Sequence, residues 1–343
     1  MTSIPAVPRP ARTHMAWLLA AALLAACGGG GNDDDGTAAA TALGPFSTAS
    51  APGCQPDAPR AAPAQDFITL CWGAEGWHEP TLDDKALQQN LDFYPAPAQS
   101  AAAPLIVWAH PNGMSKELPE GSALRRALLP PARDAGYAFA SLEFRHPVTN
   151  ASPEPGGPVP HTDIAQALSY LVTHAQALRI DPRNIFLVGQ SRGTLGVWTA
   201  MQPDSTSPPV RAVFAVNAQT SYRGEDFAQW FLVQPHRELF LQTFHSRNPN
   251  ADRYGSAVRD VTRQAPPIQL RYDSPVVGRP LTLTQMQQQD ALHYPDFGPA
   301  LCNAYAAAQA TASCSYVADA RLHDRPALAY EGYVQFFDRH RAR

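Results

Sequence analysis

The chain has 343 residues, 45% of them hydrophobic and 16% charged, which suits a globular protein with room for one large α/β domain. Lys and Arg total 26 against 30 Asp and Glu, a formal net charge of -4. That balance gives no basic excess to hold nucleic acid or another polyanion, and the short basic end "DRHRAR" reads as a solvated tail.

In chain order, Arg9 and Arg12 precede "MAWLLAAALLAA", an apolar run too short to span a bilayer but suited to a secretory signal peptide. It ends in Leu24-Ala25-Ala26-Cys27, which resembles the lipobox of bacterial lipoproteins. The resemblance implies a lipoprotein signal peptide with lipobox over residues 1–27, cleaved ahead of a lipidated Cys27 that becomes the mature N-terminus, and more than one acyl chain is what stable anchoring needs. Gly28 rather than Asp follows, so the expected location is the outer membrane. Residues 28–63, rich in Gly, Ala, Pro, Ser and Thr, read as a flexible tether to a folded domain over 64–343. In an oxidising compartment Cys54, Cys71, Cys302 and Cys314 read as two disulfides. Of three pairings, the sequence neighbours Cys54 with Cys71 and Cys302 with Cys314 are favoured. No close Cys or His pair has metal-ligand spacing, so neither a metal nor an organic cofactor is expected.

The domain opens with strands in "LDFYPAP", "LIVWAH" and "AGYAFASLEF". "HTDIAQALSYLVTHAQALRI" carries Ile164, Ala167, Leu168, Leu171 and Val172 on one helical face. "IDPRN" interrupts, "IFLVG" is a buried strand, "LGVWTAMQ" a helix and "VRAVFAVNA" a strand. Continuous apolar strands alternating with helices predict an α/β fold, a mostly parallel sheet covered on both faces. Residues 219–264 break the alternation and read either as a cap over a site or as helix packed on the sheet.

At the junction of "IFLVG" and its helix stands Gly189-Gln190-Ser191-Arg192-Gly193. A strand, a sharp turn and a helix with serine at the apex is the nucleophile-elbow pattern: the glycines allow close packing, and the helix N-terminus favours developing negative charge. Together with "PLIVWAHPNG", "SLEFRHP" and "ADRYGSAVRDVTRQAPPIQLRYD", it resembles the carboxylesterase branch of the α/β-hydrolase family over residues 88–340. The resemblance implies an oxyanion hole from the backbone of Arg192 and of the loop His110-Pro111-Asn112-Gly113. Pro111 has no N–H, so the loop donor falls to Asn112 or Gly113, with Asn112 favoured. His110 is expected to anchor the loop, and Asp163 to cap the helix beside the elbow.

The same resemblance implies the order Ser, acid, His. Five histidines follow Ser191: His236, His245, His293, His323 and His340. His323 is the expected base, because "SCSYVADARLHD" reads as the last strand running into a loop before the terminal helix. The acid is expected at Asp296, ahead of a Pro-started helix, with Asp273 at the end of "PPIQLRY" as second choice. The resulting expectation is a membrane-anchored serine hydrolase cleaving a small or polymeric ester through an acyl-enzyme. A serine peptidase or amidase, and a non-catalytic binding lipoprotein on the same scaffold, are the alternatives.

Overall fold

The computed structural model describes residues 66–72, 89–97, 101–111, 114–144, 160–194, 210–247, 255–286, 288 and 293–342. Eight strands form one sheet: β1 (Ile68–Cys71), β2 (Asn90–Tyr94), β3 (Ala103–Ala109), β4 (Ala138–Leu142), β5 (Ile180–Gln190), β6 (Ala212–Val216), β7 (Ile268–Tyr272) and β8 (Cys314–Ala318). Their order is β1-β2-β4-β3-β5-β6-β7-β8. β2 is antiparallel to β1 and β4, and every other neighbouring pair is parallel. Parallel strands point their carboxyl ends to one edge, where loops from several strands converge.

The reason for the unbroken apolar runs is visible in β3. Leu105, Val107 and Ala109 face one core, while Ile106 and Trp108 face the other. The first core receives Ile164, Ala167, Leu168 and Leu171 of α2 (Pro160–Thr173), with Val172 packed at its margin. The second receives Leu128, Leu129 and Ala132 of α1 (Ala123–Asp134) and Tyr333, Val334, Phe336 and Phe337 of the terminal helix. A side chain on either face of β3 thus leaves water, which is why alternation is missing from the sequence.

Two local features differ from the sequence expectation. α1 has no counterpart there, because Pro130 and Pro131 lie inside it and each lacks a helix-bonding N–H. It is held by the Ser122 side chain accepting from the Arg125 N–H and by its buried leucines. "IDPRN" does lie beyond the preceding helix, which ends at Leu178, but it also belongs to the next strand, as a bulge within β5. The pairs Ala103↔Ile180 and Leu105↔Ile185 put three extra residues on β5, and the Asp181 carboxylate gathers the Arg183 and Asn184 donors there.

Residues 219–264 supply α4 (Gly224–Phe231), α5 (Gln234–Arg247) and α6 (Ala257–Asp260), following the short α3 (Ala175–Leu178) and ahead of the short α7 (Leu283–Met286). Phe227 and Phe231 of α4 join the core on the α2 side, whereas α5 is largely exposed, with Leu239 57% accessible. Cys302 and Cys314 are bonded, Cα–Cα 5.2 Å, as the neighbour pairing expects. Cys71 is disulfide-bonded too. Cys27 and Cys54, the tether and "LGVWTAMQ" lie outside the described residues.

Candidate active site

Ser191 follows the carboxyl end of β5 and takes a left-handed φ of 50°, a conformation that an L residue adopts only when its surroundings impose it. The glycines on either side show what those surroundings are. A Cβ on Gly193 would lie 1.9 Å from the Ala109 carbonyl oxygen, and one on Gly189 would lie 2.5 Å from the Gly193 carbonyl oxygen. The turn is therefore pressed backbone to backbone against the end of β3, and side chains at 189 and 193 have no room. The Thr194 hydroxyl donates to the Ser191 carbonyl at 2.5 Å. Tyr330 donates to Gln190 Oε1 at 2.7 Å, tying the turn to the terminal helical segment.

The Ser191 hydroxyl meets an imidazole. Its Oγ lies 2.7 Å from Nε2 of His293, a residue that the chain-order argument passed over in favour of His323. His293 precedes α8 (Phe297–Ala307), and aromatic packing fixes that segment. Tyr294 is fully buried and meets Phe231 edge to face at 4.7 Å. Phe297 meets Phe227 at 5.0 Å and Phe231 at 4.9 Å. The α4 aromatics thus set where the backbone of His293 begins. "HYPDFG" carried a sequence signal, a histidine four residues ahead of an apolar helix face, but nothing in its spacing links it to residue 191.

His323 lies beyond β8 and is paired with Asp273, its Nδ1 3.2 Å from Oδ2. Asp273 directly follows β7 and is held by Asn217, which directly follows β6 and whose amide donates to Oδ2 at 3.0 Å and accepts the Asp273 N–H at 3.1 Å. The other ring nitrogen of His323 lies 3.1 Å from the Asp324 carboxylate. Hydrogen bonding to Asp273, with the Asp324 charge behind it, holds the His323 imidazole above its ordinary value, since both carboxylates favour the cation. Its side chain is 68% exposed.

Asp296 has another partner set. Its two oxygens accept the backbone N–H groups of Val277 at 2.7 Å and Gly278 at 2.9 Å, so it closes the turn that follows β7. Its place before α8 is the one read from the sequence. The structure brings Asp273, not Asp296, to His323.

His110 is fully buried. Its Nδ1 donates to the Pro111 carbonyl at 2.8 Å and its Nε2 lies 2.9 Å from Glu143 Oε1, with Phe144 stacked on the ring at 4.7 Å. Glu143 also accepts the Lys116 N–H, so both flanks of the loop are tied to the end of β4, an anchor's arrangement. Asn112 and Gly113 between them lie outside the described residues. Arg192 is buried at 6% exposure. Asp163, expected as a cap, falls inside the first turn of α2 and accepts from Gln89 at 3.5 Å. His236 accepts the Leu283 N–H and His245 pairs with Glu225, both at α5. His340 lies just beyond the terminal helix, where burial and the Arg339 and Arg211 charges push its imidazole down.

A family model described as BD-FAE matches residues 91–217, the segment from β2 through the elbow to β6. Among solved structures, the butyrate-bound thermophilic esterase of the Planctomycetes species Thermogutta terrifontis is 17% identical. It covers 73% of this chain and 88% of its own, with a TM-score of 0.51. Thermogutta terrifontis esterase 2 phosphonylated by sarin is 16% identical, with 82% and 96% covered and a TM-score of 0.52. A bacterial heroin esterase is 20% identical, with 74% and 80% covered and a TM-score of 0.49. No curated protein matches the chain. The fold is that of the α/β-hydrolases.

Proposed function

We propose that the chain is a serine hydrolase that cleaves carboxylic esters. The observation that carries this reading is the Ser191 hydroxyl, raised on a positive-φ turn at the carboxyl edge of the sheet and 2.7 Å from an imidazole nitrogen. A serine hydroxyl is a weak nucleophile until a base accepts its proton in the act of attack. Oγ attacks the ester carbonyl carbon, the proton passes to the imidazole, and the carbonyl electron pair becomes an oxyanion. Backbone N–H groups of Arg192 and of Asn112 or Gly113 are the proposed donors to that oxyanion. Collapse expels the alcohol, which takes the proton back, and leaves an acyl-Ser191 that water hydrolyses by the same steps.

The structural neighbours of TM-score above 0.5 are esterases, one with butyrate bound and one phosphonylated, and this favours an ester over an amide. Cys27 is the proposed lipid attachment point, placing the domain at the bacterial outer membrane on a tether. The test is hydrolysis of p-nitrophenyl acetate and butyrate beside the matching anilides by the full-length protein. Ester turnover lost in Ser191→Ala supports the reading. Anilide turnover as fast as ester turnover supports the peptidase or amidase alternative, and turnover of neither by folded protein supports a binding lipoprotein.

A further inference from the structure

We infer that Glu143 is a positioning residue for the oxyanion site, its single carboxylate bridging His110 and Lys116 at the two ends of the loop between them. This rests on the ester-hydrolase reading and adds what holds that site's backbone in place. Backbone N–H groups stabilise an oxyanion only if they are fixed before the charge appears. A main chain has no rotamer to lock, so the fixing must come from whatever grips the chain on either side.

Glu143 directly follows β4 and is buried. Leu142 is paired with Ala109 of β3, which brings the carboxylate beside His110. Oε1 lies 2.9 Å from His110 Nε2, and Oε2 accepts the Lys116 N–H at 3.1 Å. The far end of the loop is held at two further points: the Ser141 hydroxyl donates to the Lys116 carbonyl, and the Lys116 ammonium donates to the buried Asp92 carboxylate at 2.6 Å. The near end also touches the nucleophile's turn, since a Cβ on Gly193 would lie 2.9 Å from the His110 carbonyl oxygen. The backbone that carries Arg192 therefore rests on the residue that Glu143 holds. One carboxylate thus ties the two proposed sources of oxyanion donors, the Arg192 turn and the loop, to the same strand end.

The bonding pattern says which substitution keeps the bridge. His110 Nδ1 faces the Pro111 carbonyl at 2.8 Å, which only accepts, so Nδ1 carries a hydrogen. Whether a second hydrogen belongs to the ring or to Glu143, one hydrogen lies between Nε2 and Oε1. A glutamine with its NH2 in place of Oε1 and its oxygen in place of Oε2 makes both bonds: the NH2 donates to Nε2 and the oxygen accepts the Lys116 N–H. Aspartate, shorter by one methylene, falls short of one end, and leucine makes neither bond.

The experiment measures kcat and KM for p-nitrophenyl butyrate, and inhibition by an alkyl trifluoromethyl ketone whose adduct with serine carries the oxyanion. It compares full-length wild type, Glu143→Gln, Glu143→Asp and Glu143→Leu, each checked for native circular dichroism. Glu143→Leu and Glu143→Asp are expected to lose about 10²-fold in kcat, as displaced or missing oxyanion donors do, with KM unchanged. Ketone inhibition should weaken by the same factor, because the adduct and the transition state need the same donors. Glu143→Gln should keep most of the wild-type kcat and inhibition. A purely structural role would lower stability without that parallel. Folded Glu143→Leu with the wild-type kcat overturns the inference, and so does a kcat loss with ketone inhibition unchanged. Glu143→Gln as slow as Glu143→Leu overturns the bridge as well. If Glu143→Leu does not fold, Glu143→Asp decides: wild-type kcat and inhibition there overturn the inference. Wild-type protein that neither turns over ester nor takes a fluorophosphonate is a different result and removes the hydrolase reading itself.

Discussion

Replacing Gly193 with alanine tests the physical basis of the elbow. The added Cβ would sit 1.9 Å from the Ala109 carbonyl oxygen, 2.5 Å from the Ala109 carbonyl carbon and 2.9 Å from the His110 carbonyl oxygen. All three are backbone atoms, so no side chain can swing aside, and about an ångström of separation must come from moving the turn off β3. β3 cannot yield easily. It is paired on both sides, with Ala109 aligned to Leu142 of β4 and to Gly189 of β5. Overpacking of a tight site costs about 1–3 kcal/mol, and a reacting group displaced by about 1 Å loses about 10²-fold in rate. Gly193→Ala should therefore lower the urea midpoint and slow fluorophosphonate labelling about a hundredfold. Gly121→Ala is the control. Its φ is 75° but a Cβ there meets nothing within 4 Å, so only the backbone cost, about 1 kcal/mol, should appear and labelling should hold. Gly193→Ala with wild-type stability and labelling would refute the claim that the glycine serves close approach.

Three further outcomes follow from the same structure. Asp273→Asn should lower the His323 titration midpoint toward the ordinary imidazole value, read from its ring proton by NMR. Because the folded value is raised, the pair's contribution to stability is full below the unfolded value, about pH 6.5, and fades as pH rises through the folded one. Cys302→Ser opens the loop closed with Cys314 and should cost about 2–4 kcal/mol in urea denaturation, a loss that reducing agent does not deepen through this bond. Phe231→Ala removes the ring that both Tyr294 and Phe297 lean on. It should cost about 3–5 kcal/mol and slow labelling of Ser191, since the segment carrying His293 loses its support.

The elbow and the parallel sheet were legible because their signals are local. Continuous runs such as "LIVWAH" and "IFLVG" read as strands buried on both faces, and Gly189 and Gly193 read as a turn under crowding. α1 was not legible because Pro130 and Pro131 argue against a helix that the buried Leu128 and Leu129 nonetheless secure. "IDPRN" ends the helix before it as read, but its membership of β5 was hidden because a bulge carries the same polar residues as a loop. The imidazole beside Ser191 lay beyond reach for a different reason. Chain order points to His323, whereas the Ser191 to His293 contact spans 102 residues and depends on where the Phe227, Phe231 and Phe297 cluster seats the start of α8. Asp296 does precede a helix, as read from the sequence, yet its oxygens are spent on the N–H groups of Val277 and Gly278, and it is Asp273 that reaches His323.

The central claim is that Ser191 is a nucleophile, and covalent capture tests it most directly. Full-length protein is treated with a fluorophosphonate and the adduct located by peptide mass spectrometry. The account predicts one adduct, on Ser191, absent from Ser191→Ala while that variant keeps the wild-type fold. Folded wild-type protein that takes no label, or takes it on another residue, would contradict it.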